Sequence, residues 1–351
     1  MKKILALAAL LALCSCQDPV TPQDDSSEEE STPVSNVPAF AKGADISWVT
    51  EMEKKGYSFY NASGTAMECT ALMKELGCNA VRYRVWVNPA DGWCNKADVL
   101  AKARRAEALG LAIMIDFHYS DSWADPSKQT PPAAWKNLSA DEMADALAAH
   151  TTDVLQTLKD NQVTVSWVQV GNETNTGMCS PTGTVSNSGA GNFVKLFNAG
   201  YDAVKAVYPD ALVICHHSNA QDSGANKWFY DLVTGDGAKF DMIGLSLYPS
   251  YWSNGGYPDW NPYCSKALSC FTYLHSLYNK PVMLVEFGMP VSEPEKAQAA
   301  LRYLLNGVQA KDWFKGIFYW EPESEKSRNG YEYGAFASGR STGVLDLFLS
   351  Y

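Results

Sequence analysis

From about residue 43 to the C-terminus, apolar residues fall into two alternating patterns. Short dense runs rich in Val, Ile, Leu and aromatics occupy 43–47, 79–86, 111–117, 164–171, 211–216, 241–247, 281–286 and 315–320. Their length and composition predict strands buried on both faces. The intervening stretches 64–76, 97–110, 139–160, 191–207, 224–234, 265–278 and 293–310 predict helices. In 139–160, Ser139 precedes Asp141 and Glu142 as a helix start, and Met143, Ala146, Leu147, Val154, Leu155 and Leu158 recur at a helical period. Seven helices between eight strands imply a parallel sheet. Eight such units in about 300 residues match one (β/α)₈ TIM barrel, an α/β fold. A doubly wound open sheet is the weaker alternative, because no Gly-x-Gly-x-x-Gly follows the first strand.

The segment before the barrel reads differently. Met-Lys-Lys, an apolar run from Ile4 to Leu13 and then Cys14-Ser15-Cys16 make an export signal too short for a stable membrane span. Leu13-Cys14-Ser15-Cys16 resembles a bacterial lipoprotein box, with Cys16 as the lipidated residue; an ordinary secretory signal is the alternative. Residues 1–15 are then a lipoprotein signal peptide, 16–39 a disordered acidic spacer of Pro, Ser, Thr and acids, and 40–351 the barrel domain. The expected location is the cell surface, as an exported outer-membrane lipoprotein.

The formal charge is −11, and from residue 40 onward 26 basic residues face 33 acidic ones. An acidic body with no basic run excludes a nucleic-acid partner. Without a phosphate-cradling loop or a ligand cluster, no cofactor and no metal site is expected; the adjacent His216 and His217 point apart on a strand. Beyond Cys14 and Cys16 seven cysteines remain, an odd number that leaves at least one free thiol in a monomer. Cys264 and Cys270 are one candidate pair across a single loop, a pairing that geometry decides and sequence does not.

In a barrel, chemistry sits at the C-terminal ends of the strands. Here those ends are polar and aromatic. Glu173 and Glu286 each close an apolar strand, where a glutamate is costly unless paired or used. They are read either as buried ion bridges to Arg82 or Arg84, or as a pair. The fourth and seventh strands lie across the barrel mouth, and two facing carboxylates are what glycoside hydrolysis requires. Asn172 is placed to bind a sugar 2-hydroxyl or to satisfy backbone. Arg84 and Tyr248 are placed to keep a nucleophile charged. His118 is a sugar ligand or a satisfied core histidine, and Asp121 is counted with the substrate contacts. Trp86, Trp123, Trp252 and Trp320 offer faces for pyranose rings or fill the barrel top.

The string Asp116-Phe117-His118-Tyr119-Ser120-Asp121-Ser122-Trp123-Ala124-Asp125-Pro126 closely resembles the third-strand motif of glycoside hydrolase family 53, the endo-β-1,4-galactanases. Gly43-Ala44-Asp45-Ile46-Ser47-Trp48, Arg82-Tyr83-Arg84-Val85-Trp86, Gln169-Val170-Gly171-Asn172-Glu173 and Gly316-Ile317-Phe318-Tyr319-Trp320-Glu321-Pro322 are similar to that family as well, in order along the chain. The resemblance implies a retaining, endo-acting enzyme on the β-1,4-galactan (type I arabinogalactan) side chains of pectin, a monomer, with Glu173 as acid/base and Glu286 as nucleophile. Three features depart from the family. Cys179 stands where relatives often have Trp. The long acidic, calcium-binding insertion that some bacterial members carry after Glu286 is absent from this sequence. The stretch after Trp320 also differs. Two other readings stand beside this one: a non-catalytic surface glycan-binding lipoprotein, and another barrel endoglycanase acting on mannan or cellulose.

Overall fold

The computed structural model describes residues 37–251 and 258–351. Cys16, the signal peptide and all of the spacer before residue 37 therefore lie outside the described residues, as does Trp252. Eight strands form a closed, all-parallel barrel: β1 Ala41–Asp45, β2 Ala80–Val85, β3 Ala112–Phe117, β4 Trp167–Val170, β5 Leu212–His217, β6 Met242–Leu247, β7 Val282–Phe287 and β8 Phe314–Trp320. The order is sequential around the wall, and β1 pairs with β8 to close it. Helices α1 Cys69–Glu75, α2 Lys96–Ala108, α3 Ala140–Asp160, α4 Gly191–Val207, α5 Ser223–Gly235, α6 Trp260–Tyr278 and α7 Pro294–Val308 return the chain between strands. This is the predicted (β/α)₈ barrel, with unpredicted additions. A short helix, Val49–Lys54, follows β1 directly. The pairs Phe59–Tyr60, Ala66–Met67, Phe336–Ala337 and Arg340–Ser341 build a small four-stranded sheet, and the chain finishes in a 3₁₀ turn, Leu345–Leu349.

Local chemistry explains the boundaries. Ser139 and Glu142 cap α3 reciprocally, with Glu142 N–H donating to Ser139 Oγ at 3.3 Å and Ser139 N–H to the Glu142 carboxylate at 2.8 Å. The α3 face made by Met143, Leu147, Val154, Leu155 and Leu158 is buried. Helix α1 starts later than predicted, because Glu68 caps it by accepting from Ala71 N–H and the preceding residues pair as strand. Helix α6 starts earlier: Asp259 accepts from Asn261 N–H, and Pro262 is tolerated in the first turn. Cys264 and Cys270 both lie inside α6, not across a loop. They are unpaired there, and all seven described cysteines are buried free thiols.

Each barrel strand is two-faced in a way that positions the site. Val81, Tyr83, Ile113, Ile115, Val168, Val170, Val213 and Cys215 face the helices and belong to the large outer core. The alternate positions Ala41, Ala80, Ala112, Met114, Trp167, Ile214, Met242, Met283 and Phe318 pack the barrel's own interior. Gly43 makes this filling possible: a Cβ there would lie 2.2 Å from the Phe318 ring. Continuing the same two-residue period upward reaches Asp45, Arg82, Asp116, Gln169, His216 and Ser246, each buried. A polar belt therefore rests on an apolar floor.

Candidate active site

Arg82 is the hub of this belt. Its side chain is fully buried, and one Nη pairs with Asp45 at 2.6 Å. The other pairs with Asp116 and with Glu286, each at 2.9 Å. Nε donates to Gln169 Oε1 at 2.7 Å, and an Nη donates to Asn172 Oδ1 at 2.9 Å. The planar fork of arginine donates hydrogen bonds to Asp45, Gln169 and Asn172 at once, while Asp116 and Glu286 sit beside it as ion-pair partners.

Glu286 reaches this position through a register shift. Next to β6, Leu245 aligns with Leu284 and Ser246 with Glu286, so Val285 is skipped. Such a bulge turns a residue that strict alternation would send outward into the barrel mouth. Its carboxylate also accepts from the Tyr248 hydroxyl at 2.8 Å. Burial pushes the Tyr248 phenol well above its ordinary range, so it remains a donor. Glu173 stands at the end of β4 after Gly171, and both residues have left-handed backbone, with φ of 41° and 91°. That turn leads the chain out of the strand.

Glu173 and Glu286 line one cleft of about 190 Å³ together with Asn172, His118, Trp123, Ala124, Asp125, Tyr248, Tyr251, Trp320, Tyr331 and Tyr333. A larger open depression lies at the start of α5 against α6, lined by Gln221, Asp222, Ser223, Ser265, Lys266 and Ser269. The belt's buried charges converge on the smaller cleft, and the site is placed there. Burial is the largest influence on both glutamates and pushes Glu173 to about 7 and Glu286 to about 8. Against that burial, Glu286 has a guanidinium in contact and a phenol donating to it, both of which favour its charged form, whereas Glu173 has no cation in contact. Asp116 stays ionised: burial opposes its charge, but Arg82 and His118 hold it below the usual carboxylate range.

The remaining expected contacts divide. Trp123, Trp320, Tyr248 and Asn172 line the cleft. Asn172 accepts from Arg82 and donates to Ala124 C=O at 2.8 Å, which leaves one amide hydrogen for a ligand. Arg84 is corrected: it does not touch Glu286. It forms an ion pair with Glu321, and its guanidinium lies 4.3 Å from the Trp123 ring and 5.0 Å from Trp48, as a cationic pillar beneath the tryptophan wall. His118 lines the cleft but has no nitrogen to offer a sugar. Nδ1 accepts from Ala124 N–H at 3.1 Å, and Nε2 is 3.0 Å from Asp116. Asp121 does not line the cleft; its oxygens accept from the N–H groups of Asn88 and Ala133 and staple two loops. Trp86 is buried, with its indole N–H on His118. Cys179 is buried too, its thiol against the Tyr119 carbonyl.

Sequence reading left Arg82 and Arg84 as alternative partners of the glutamates, and the structure gives Arg82 to Glu286; it missed Trp48, Tyr251, Tyr331 and Tyr333. Trp48 packs edge-on against Trp123 and Trp320, and Tyr251 stacks on Tyr333 with centroids 5.2 Å apart. The polar belt had a usable signal: extending the strands' period of two from Ala80 gives Arg82, from Met114 gives Asp116, and from Ile214 gives His216.

Comparison with known proteins agrees with this architecture. The profile of Glycosyl hydrolase family 53 matches residues 41–347. A probable arabinogalactan endo-β-1,4-galactanase A of Neosartorya fischeri is 34% identical over 309 residues, covering 80% of this chain and 83% of its own. The arabinogalactan endo-β-1,4-galactanase of Thermothelomyces thermophilus is 33% identical, with coverage of 80% and 89%. Among solved structures, a fungal β-1,4-galactanase superposes with a TM-score of 0.79 at 31% identity, covering 88% of this chain and 98% of that one. The Ignisphaera aggregans GH53 catalytic domain gives 0.78 at 27% identity, with coverage of 89% and 96%.

Proposed function

The chain belongs to glycosyl hydrolase family 53, and on that premise we propose that it is an endo-acting β-1,4-galactanase working by double displacement. The observation that supports this most is the pair of glutamates on one cleft in unlike environments, Glu286 held by Arg82 and Tyr248, Glu173 without a cation in contact. In the first step a Glu286 oxygen attacks the anomeric carbon. The bond to the glycosidic oxygen breaks, and that oxygen takes the proton of Glu173. In the second step the Glu173 carboxylate removes a proton from water. The water oxygen attacks the same carbon, and Glu286 leaves as carboxylate. Trp123 and Trp320 supply apolar faces for the sugars, and the Arg84 pillar keeps that wall upright.

The test is digestion of galactan, mannan and cellulose with the products sized. Galactan should yield mixed oligosaccharides from the first minutes, while the other two remain intact. Galactose monomer dominating early would contradict endo attack, and equal cleavage of mannan would contradict the substrate assignment.

The N-terminal segment supports a second part of the proposal, an outer-membrane anchor through Cys16. Cys16→Ser should move the protein from the membrane to the soluble fraction with unchanged specific activity. A Cys16→Ser protein still on the membrane would refute the anchor.

A further inference from the structure

The stretch after β8 carries a polar group that the proposed chemistry leaves unused, the hydroxyl of Tyr331. Tyr331 lines the cleft with Glu173 and Glu286. Its ring is wedged among aromatic neighbours: the Trp320 centroid lies 4.7 Å away, Tyr333 5.7 Å and Trp48 5.8 Å. The hydroxyl oxygen is buried and has no hydrogen-bond partner among the described residues. A buried polar atom without a partner is destabilising, so one that faces a cleft points to a ligand that completes it. Burial pushes the phenol well above its ordinary range, so it keeps its proton and can donate.

The backbone holds this phenol in place from both sides. Gly330, with φ of 83°, ends the single helical turn Lys326–Asn329. Asn329 Oδ1 accepts from the Tyr331 N–H at 3.3 Å, and the Asn329 amide donates to Ser324 Oγ at 2.9 Å. On the far side, Glu332 C=O accepts from Val291 N–H at 2.9 Å, and Gly334 C=O accepts from the Tyr319 hydroxyl at 3.2 Å. Tyr331 is thus tied to the ends of β7 and β8. Its hydroxyl rests over Gly288, just beyond Glu286 in the chain. A Cβ on Gly288 would lie 3.0 Å from the Tyr331 oxygen and 2.7 Å from the ring of Tyr248, the phenol that donates to Glu286. The Tyr331 hydroxyl therefore stands on the Glu286 side of the cleft, where a sugar attacked by Glu286 must lie.

We infer that Tyr331 is a substrate-binding residue whose hydroxyl hydrogen-bonds a hydroxyl group of the galactose attacked by Glu286. The inference rests on the galactanase reading of the cleft. Tyr331→Phe removes the oxygen and keeps the ring. Because that oxygen has no partner within the fold, Tm should stay the same or rise slightly. At the same time kcat/KM on an aryl β-galactobioside should fall about tenfold, the worth of one hydrogen bond in a desolvated site. The comparison is then repeated on aryl β-galactobiosides that each lack one hydroxyl of the reacting galactose. On one of these the substitution should cost nothing, since that bond is already missing. No penalty on the parent compound, or an equal penalty across the whole set, would overturn the contact. A lower Tm would overturn it too, by making the hydroxyl a structural group. A wild-type protein that leaves both galactan and the parent galactobioside intact would overturn the galactanase reading itself, and the contact with it.

Discussion

Glu286→Ala should leave a folded protein whose hydrolysis of galactan falls by at least about 10³-fold, and a good leaving group should not rescue it. The substitution removes one of three carboxylates from Arg82, which keeps Asp45 and Asp116 at 2.6 and 2.9 Å, so the belt survives. Chemistry does not survive, because no other group is placed to form the glycosyl-enzyme. Glu173→Ala should lose a similar factor on galactan but behave differently on an activated aryl galactoside. There the departing group needs no proton, so the glycosyl-enzyme forms and accumulates as a burst of released phenol. Equal behaviour of the two variants on that substrate would overturn the assignment of roles.

The second large effect belongs to Arg82. Arg82→Met leaves Asp45, Asp116 and Glu286 buried with their cation gone, an uncompensated charge worth roughly 3–5 kcal/mol. For a domain of this size that lowers Tm by about 5–15 °C. The sign with pH follows from Asp116, whose carboxyl is held low in the folded state by Arg82 after burial is overcome. A group depressed in this way stabilises the fold above its unfolded value and loses that contribution as pH falls through the folded value. The gap between wild type and Arg82→Met should therefore be widest near neutral pH and narrow in acid, as the stranded carboxylates take up protons. Melting curves across pH check this. An Arg82→Met protein as stable as wild type at neutral pH would remove Arg82 from the centre of the site.

The eight strands were legible because a strand buried on both faces must be an apolar run, and the seven main helices because each has one buried stripe. Both glutamates of the cleft were legible as charges closing such runs. The choice between Arg82 and Arg84 was not. Both sit on the inward face of β2, one layer apart, and which layer meets Glu286 depends on the stagger of strands around the closed barrel. The skipped Val285 deepens the difficulty, since strict alternation from Met283 would turn Glu286 away from the mouth. Tyr331 and Tyr333 come from the stretch after β8, which has no period to read, and Tyr251 from a loop. Asp121 looked like a ligand because it belongs to a dense polar motif. Its oxygens satisfy two loop N–H groups, a use that only tertiary structure reveals. His216 was weighed only as half of a metal pair, whereas it is buried in the polar belt against Gln169 on β4 and Ser246 on β6.

The most direct test of the double displacement at Glu286 and Glu173 is proton magnetic resonance of galactan hydrolysis in its first minutes. Two displacements at the anomeric carbon restore its configuration, so the β anomer of the new reducing ends should appear first and the α anomer only later, by mutarotation. Appearance of the α anomer first would contradict the account and make Glu286 a base acting through water.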